Sequence, residues 1–224
     1  MSVFETNACF TFVMIFLNKD LFLAGVTTGS DTLIWAMAEL ANKPSVMKKA
    51  QEEVRNVIGN KQRVTESDTN ELHYLKMVIK ETLRLHPPAP LLLPREALSK
   101  FNVNGYEIHP EMMIQVNVWA IGRDPNYWEN PEEFLPERFV DSPVDFKGQN
   151  FKFLPFGAGR RMCVAMSLGT ITIELVLANL VYCFDWKLPD GMQKEDINME
   201  EQTGVSLTVS KKTPLCLVPV KYLH

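Results

Sequence analysis

The stretch FLPFGAGRRMCVA, Phe153 to Ala165, restricts this chain more than any other part of it. It sets a cysteine after a loop bearing two glycines and directly before a long apolar run. A helix starting there presents the positive end of its aligned peptide dipoles, and Arg160 and Arg161 add two full charges beside it. Both effects favour the thiolate of Cys163, as a nucleophile or as a metal ligand. Gly157 and Gly159 let the loop backbone approach a large flat cofactor without Cβ obstruction. Two rival chemistries fit less well. A G-x-G run entering a helix is also a dinucleotide signature, but Met162 stands where the third glycine belongs, and too little chain follows for a βαβ unit. A catalytic cysteine needs a histidine partner. His73, His86, His109 and His224 all lie elsewhere, and nothing in their local sequence directs them to Cys163. A cysteine that merely packs is the bland alternative, and the glycines and arginines around it outweigh that.

Cys9, Cys183 and Cys216 fall in no short metal-binding spacing. A chain of 224 residues with 46% apolar content can build a core without disulfides, so these three read as thiols in a reducing compartment. The net charge is −4 with basic residues scattered along the chain, which argues against a nucleic-acid partner. Residues 1–19 are atypical. The apolar run Ala8 to Leu17 is shorter than the roughly 20 residues a membrane span needs, and no Lys or Arg precedes it as in a signal peptide. It reads as a buried helix start or an exposed apolar tail, with no membrane anchor.

From Asp20 to Leu40 the pattern predicts a long helix, apolar on most sides and therefore inside a large core, with the polar centre TTGSDT. Gly25, Gly29 and the hydroxyls there suggest a place where something comes close to the backbone. For Thr27 and Thr28 the bland alternative is a hydroxyl bonded back to the carbonyl one turn earlier. Pro44 starts a second helix, with Val46, Met47, Ala50, Val54, Val57 and Ile58 as its apolar face and Gly59 closing it. A capping box of Asp68 with Glu71 opens a third, whose inward side is Leu72, Leu75, Ile79, Thr82 and Leu83, ended by Pro87-Pro88. Glu81 and Arg84 share one face of it at i,i+3. LLLPREAL and MMIQVNV read as strands, and Asn104-Gly105 marks a hairpin. Residues 122–160 form a long ordered loop, which in a compact domain is usually functional. A further helix spans Ala165 to Tyr182, and strand-like alternation runs from Val205 to Val220. The fold class is mainly α with a small β part.

Taken in order, these segments resemble the C-terminal, heme-binding half of the cytochrome P-450 fold, nearest the plant microsomal type, over residues 20–224. FGAGRRMC is similar to the heme-binding loop F-x-x-G-x-R-x-C through Phe156, Gly159, Arg161 and Cys163. The resemblance implies heme b with Cys163 as the axial thiolate and iron ligand, with Gly157 and Ala165 also lining the cofactor. Arg161 and Arg95 of PREA would each meet one heme propionate. Glu81 and Arg84 match the E-x-x-R element, and Arg138 of PERF completes a structural triad behind the heme. Ala24 to Gly29 resembles the oxygen-binding groove of the distal helix, with Thr28 as the threonine that helps deliver protons to O₂. Thr27 stands where an acidic residue usually precedes it, and Val164-Ala165 replaces the usual Pro-Gly, adding a methyl beside the cofactor. The implied activity is a monooxygenase inserting one oxygen atom from O₂ into a small lipophilic, secondary-metabolite-type substrate held by the groove, by Ala89 to Leu93 and by about Gly204 to Thr208. Electrons would come from NADPH through a cytochrome reductase docked on the proximal face. The implied location is the cytoplasmic face of the endoplasmic reticulum membrane, although the family's front half and its anchor are not seen in this sequence. The alternative is a truncated, non-catalytic fragment that keeps the heme motifs and cannot enclose heme.

Overall fold

The structure, a computed structural model, describes residues 3–202 and 207–222, with side chains for residue 19 and from residue 22 onward. It is mainly helical. Helix α1 spans Val3–Asn42, so it begins well before Asp20; the side chains of the Ala8 to Leu17 run lie outside the described residues. Burial along α1 is uneven. Asp31, Thr32 and the stretch from Trp35 to Leu40 are buried, whereas Phe22, Leu23 and Val26 are exposed. The expectation of a helix held inside the core is therefore corrected to its second half. The physical reason is where its neighbours lie: Ala36, Met37 and Leu40 are the α1 residues that join the common core.

Helix α2, Pro44–Ile58, starts on its proline and ends on Gly59, whose φ of 59° suits a residue without Cβ. Val46, Met47, Ala50, Val54 and Ile58 are buried, but Val57 is exposed. One residue is about 100° around a helix, which carries Val57 off the stripe that Ile58 belongs to.

Helix α3, His73–Leu85, follows a 3-10 turn over Glu66–Glu71. The capping box there is Thr65 with Asp68, not Asp68 with Glu71 as expected: the Asp68 carboxylate accepts from the Thr65 N–H at 2.9 Å and from its hydroxyl at 2.6 Å. Lys61, 2.6 Å from Asp68, and the Thr65 donors hold that carboxyl down at about 2. The cap of α3 itself comes from a different helix. Glu53 of α2 accepts from the Tyr74 N–H at 2.7 Å and the Leu75 N–H at 2.9 Å, satisfying two donors that a helix start leaves unpaired. Glu53→Ala is expected to cost about 1 kcal/mol, the usual scale of a lost cap, read as a shift of the urea midpoint; an unshifted midpoint would mean that water replaces the carboxylate without cost.

Among the described residues the β part is three antiparallel pairs. Arg95–Glu96 (β1) pairs Met113–Ile114 (β4), and Phe101–Val103 (β2) pairs Tyr106–Ile108 (β3). Asn104 (φ 49°) and Gly105 (φ 88°) form the turn between β2 and β3, both left-handed as a type I′ hairpin demands. Phe184–Lys187 (β5) pairs Val218–Lys221 (β6). After the short helix α4, Val118–Ile121, the chain from residue 122 to 160 is ordered loop with 3-10 turns at Pro136–Phe139 and Gly159–Arg161. Helix α5, Met166–Cys183, is long and apolar enough by length and composition to cross a membrane, but Ile173, Leu177, Ala178, Val181 and Tyr182 sit in the shared core.

Candidate functional site

The most heavily bonded cluster joins α3 to the long loop. Glu81 and Arg84, one turn apart, are fully buried, and they meet through two hydrogen bonds, Arg84 Nε to Oε2 at 2.7 Å and Nη2 to Oε1 at 2.8 Å. Arg138 reaches the same carboxylate from the Pro136–Phe139 turn, with Nε 2.9 Å from Oε1. Leu135 donates its backbone N–H to Oε1 as well, at 2.8 Å. The remaining donors of the two arginines go to loop carbonyls: Arg84 to Gly122, Pro131 and Glu133, and Arg138 to Glu129, Asn130 and Glu133. A planar five-donor guanidinium suits that work, since it organises several carbonyls at once. Glu81, Arg84 and Arg138 are thus brought together as the sequence reading expected, and they fix the loop that leads to Cys163.

The cysteine loop has the backbone its glycines suggest. Gly157 and Gly159 lie at φ 74° and 72°, in the left-handed region. The Cys163 N–H donates to the Phe156 carbonyl at 3.0 Å, closing the loop, and the Cys163 side chain is exposed. Helix α5 follows with Ala165 as its N-cap residue; φ of −97° there needs no glycine. Arg95 of β1 donates to the carbonyl of Arg161 at 3.1 Å, so two arginines distant in sequence stand together. Neither is among the described ion pairs with a carboxylate. Leu92 approaches the loop too: a Cβ on Gly157 would lie 3.6 Å from its Cδ1.

On α1 the Thr28 hydroxyl donates to the Ala24 carbonyl at 2.7 Å and Thr27 to Leu23 at 3.4 Å, the bond-back pattern of helical threonines. A Cβ on Gly25 or Gly29 would meet nothing within 4 Å, so the helix flank there is open. The segment Ala89 to Leu93 bridges the cysteine loop and helix α4. Trp119 donates its N–H to the Pro90 carbonyl, Val209 donates to Pro88 just before it, and Leu92 faces Gly157. Of the Gly204 to Thr208 contact segment, residues 203–206 lie outside the described residues. The sequence reading gave no role to Asp31 or His86, both of them buried. A lone carboxylate three residues beyond Thr28, entering the apolar end of a helix, was the available signal.

An exposed thiol on a glycine-shaped loop, two guanidiniums without a carboxylate partner among the described residues and an open, partly apolar helix flank have the chemistry to suit a flat, apolar, dianionic metal cofactor. A heme with two propionates has that chemistry, so these residues fit it. The comparisons carry this further. The family model described as Cytochrome P450 matches residues 17–217. Cytochrome P450 71B34 of Arabidopsis thaliana is 60% identical over 204 residues, covering 91% of this chain and 40% of the relative. Cytochrome P450 71B37 of the same plant is 60% identical over 205 residues, covering 92% and 41%. A solved zebra fish cytochrome P450 with abiraterone superposes with a TM-score of 0.79 at 30% identity, covering 92% of this chain and 46% of that one. The chain belongs to the cytochrome P450 family, and it spans about two fifths of the length of these plant relatives.

Proposed function

We propose that the chain supplies the heme-thiolate part of a monooxygenase that inserts one oxygen atom from O₂ into a small lipophilic substrate. The observation that carries this reading is the Cys163 loop, with Arg95 gripping it at the Arg161 carbonyl. Bound through a thiolate, heme iron supplies the activation and cleavage of O₂. The rest is the work of the protein. Cys163 Sγ, as the thiolate, would hold the iron. Arg95 and Arg161 would each pair with one propionate, a charge-assisted pairing suited to carboxylates. Phe156, Gly157 and Ala165 would line the cofactor beside Cys163. Thr28 Oγ1, which donates to the Ala24 carbonyl, would give up that bond to pass its proton to bound O₂ and take a replacement from water, and Thr27 would hold that water in place of a carboxylate. The exposed Leu91 and Leu93, with Phe22, Leu23 and Val26, offer an apolar surface to a lipophilic substrate. Electrons come from NADPH through a reductase docking on the face that carries Cys163, and the setting is the cytoplasmic face of the endoplasmic reticulum membrane.

The test is the reduced, carbon-monoxide difference spectrum of the chain supplied with heme. A red-shifted Soret band of thiolate ligation supports the reading. Its absence in a folded sample overturns it and returns the chain to the non-catalytic alternative.

A further inference from the structure

Helix α1 carries a buried stripe that the oxygen chemistry does not use. Asp31, Trp35 and Glu39 follow one another at i, i+4 and i+8, so they share one face. They are 5%, 1% and 6% exposed. The Trp35 indole lies flat on the His86 imidazole, with centroids 3.9 Å apart and planes within 2°. Glu39 Oε1 is 2.8 Å from His86 Nε2. The other ring nitrogen, Nδ1, is buried without a hydrogen bond and sits 3.6 Å from Oε1 of Glu201. Glu201 also accepts from the indole N–H of Trp119 at 3.3 Å, and Arg123 covers that indole at 4.1 Å.

Glu201 belongs to a short ladder in the tail. Gln202 donates to the Ser210 carbonyl at 2.8 Å, Lys212 donates to the Glu200 carbonyl at 2.9 Å, and Glu201 bridges Lys211 between them. The returning leg is tied down as well. Ser210 hydrogen-bonds Asp31, and the Val209 N–H donates to the Pro88 carbonyl at 3.0 Å. Each leg of the ladder is therefore held by an acidic side chain, Glu201 through His86 on one side and Asp31 on the other. Both attachments end on α1, one of them a single turn past Thr28.

We infer that Asp31, Trp35 and Glu39, acting through His86, form a positioning clamp that fixes the tail ladder beside the Thr28 flank, and that acidity tunes its grip. The importance of that position rests on the monooxygenase reading; the clamp itself does not. Two carboxyls give the clamp opposite responses to acid. Burial raises the Asp31 carboxyl above its usual range, more than its Ser210 bond lowers it, and Oδ2 has no partner. The charge on Asp31 is thus a burden present above that raised value and removed as pH falls through it. Burial also pushes Glu201 upward, but His86, Arg123 and the Trp119 N–H outweigh it and hold the carboxyl below its usual range. The Glu201 contribution is therefore present above the ordinary glutamate range and lost as pH falls through the lowered value. The other charged groups around the clamp are Glu39 from α1 and Lys211 on the ladder, whose ammonium is occupied by the Thr213 carbonyl. Acid therefore acts on the two legs in opposite senses, relieving the Asp31 burden and releasing the Glu201 contact.

Amide hydrogen exchange on the full chain without heme tests this, read on peptides covering residues 200–212 and corrected at each pH for the intrinsic rate. The expected result is ladder exchange with two pH-dependent components, an acceleration as pH rises that belongs to Asp31 and an acceleration as pH falls that belongs to Glu201. Asp31→Asn keeps the shape and removes the acceleration towards neutral pH. Glu201→Gln removes the acceleration towards low pH and speeds ladder exchange about tenfold elsewhere, the scale of one charge-assisted contact. His86→Phe keeps a ring on Trp35 but loses both carboxylate contacts, and it frees the ladder; His86→Gln restores part of the protection. Ladder exchange that is indifferent to all four variants overturns the clamp. So does acceleration spread equally through α3 and α5, which would make these residues general core. Because no heme is present, a failure here is distinct from a missing carbon-monoxide band.

Discussion

Glu81→Ala is expected to destabilise the fold by roughly 3–5 kcal/mol, the range for a buried ion pair broken by removing one partner. The carboxylate is fully buried and serves Arg84, Arg138 and the Leu135 N–H together. Without it the two guanidiniums stay inside, bonded to loop carbonyls and repelling each other. Trp128, whose ring lies 5.3 Å from the Arg84 guanidinium carbon, offers only partial compensation. A domain of this kind has about 5–15 kcal/mol in total, so the variant should lose a large share of its stability. Glu81→Gln should cost nearly as much, because its amide N–H₂ turns donors towards donors. Urea unfolding measures both. A loss below about 1 kcal/mol, the scale of an exposed pair, would show that the carboxylate is solvated and that the loop is held by other means.

How this cluster could be foreseen marks the reach of the sequence. Glu81 and Arg84 were legible from i,i+3 spacing on an amphipathic helix, because helical period is local. Arg138 stood out in the long loop as a candidate partner for Glu81 and became the third member through resemblance, whereas the carbonyls of Gly122, Pro131 and Glu133 came from neither. Aperiodic loop carries no pattern that says which backbone oxygens will converge. The cysteine loop was legible for the opposite reason: positive-φ glycines, arginines and a thiol crowd into a few residues whose relations are short-range. The cap of α3 was misread because its carboxylate, Glu53, arrives from another helix, while the true box closes one turn earlier on Thr65.

The strands failed in a related way. MMIQVNV alternates along its length, yet only Met113–Ile114 is paired, since Arg95–Glu96 is the partner it meets. Alternation states that a segment suits a sheet; a ladder also needs a second edge. The same limit explains the tail, where Val205 to Val220 alternates but the described pairing is the Glu201–Lys211 bridge and Val218–Lys221 on β5. Strand β5 was not foreseen, because FDWK follows α5 directly with no turn residue between them. Asp31 and Glu39 were hidden for yet another reason. Acidic residues at i and i+8 on a long helix ordinarily read as a solvated face, and only the neighbours His86 and Ser210 reverse that reading.

Cys163→Ser is expected to abolish thiolate ligation while leaving the fold intact. The side chain is exposed, and the bond that closes its loop runs from the backbone N–H to Phe156, which serine retains. The stability change should stay within about 0.5 kcal/mol, as at other exposed positions. Ligation is another matter. A serine hydroxyl is a hard, neutral oxygen donor, whereas a cysteine sulfur as thiolate is the softer ligand for iron. The reduced carbon-monoxide spectrum of the heme-supplied variant should lose the red-shifted Soret band entirely, with urea midpoints of the two proteins superimposed. A retained band would place the ligand on another cysteine and remove Cys163 from the site. A lost band with a lowered midpoint would instead make the thiol part of the packing, which its exposure argues against. Only the pairing of unchanged stability with lost ligation fits a residue held out on a loop for a metal.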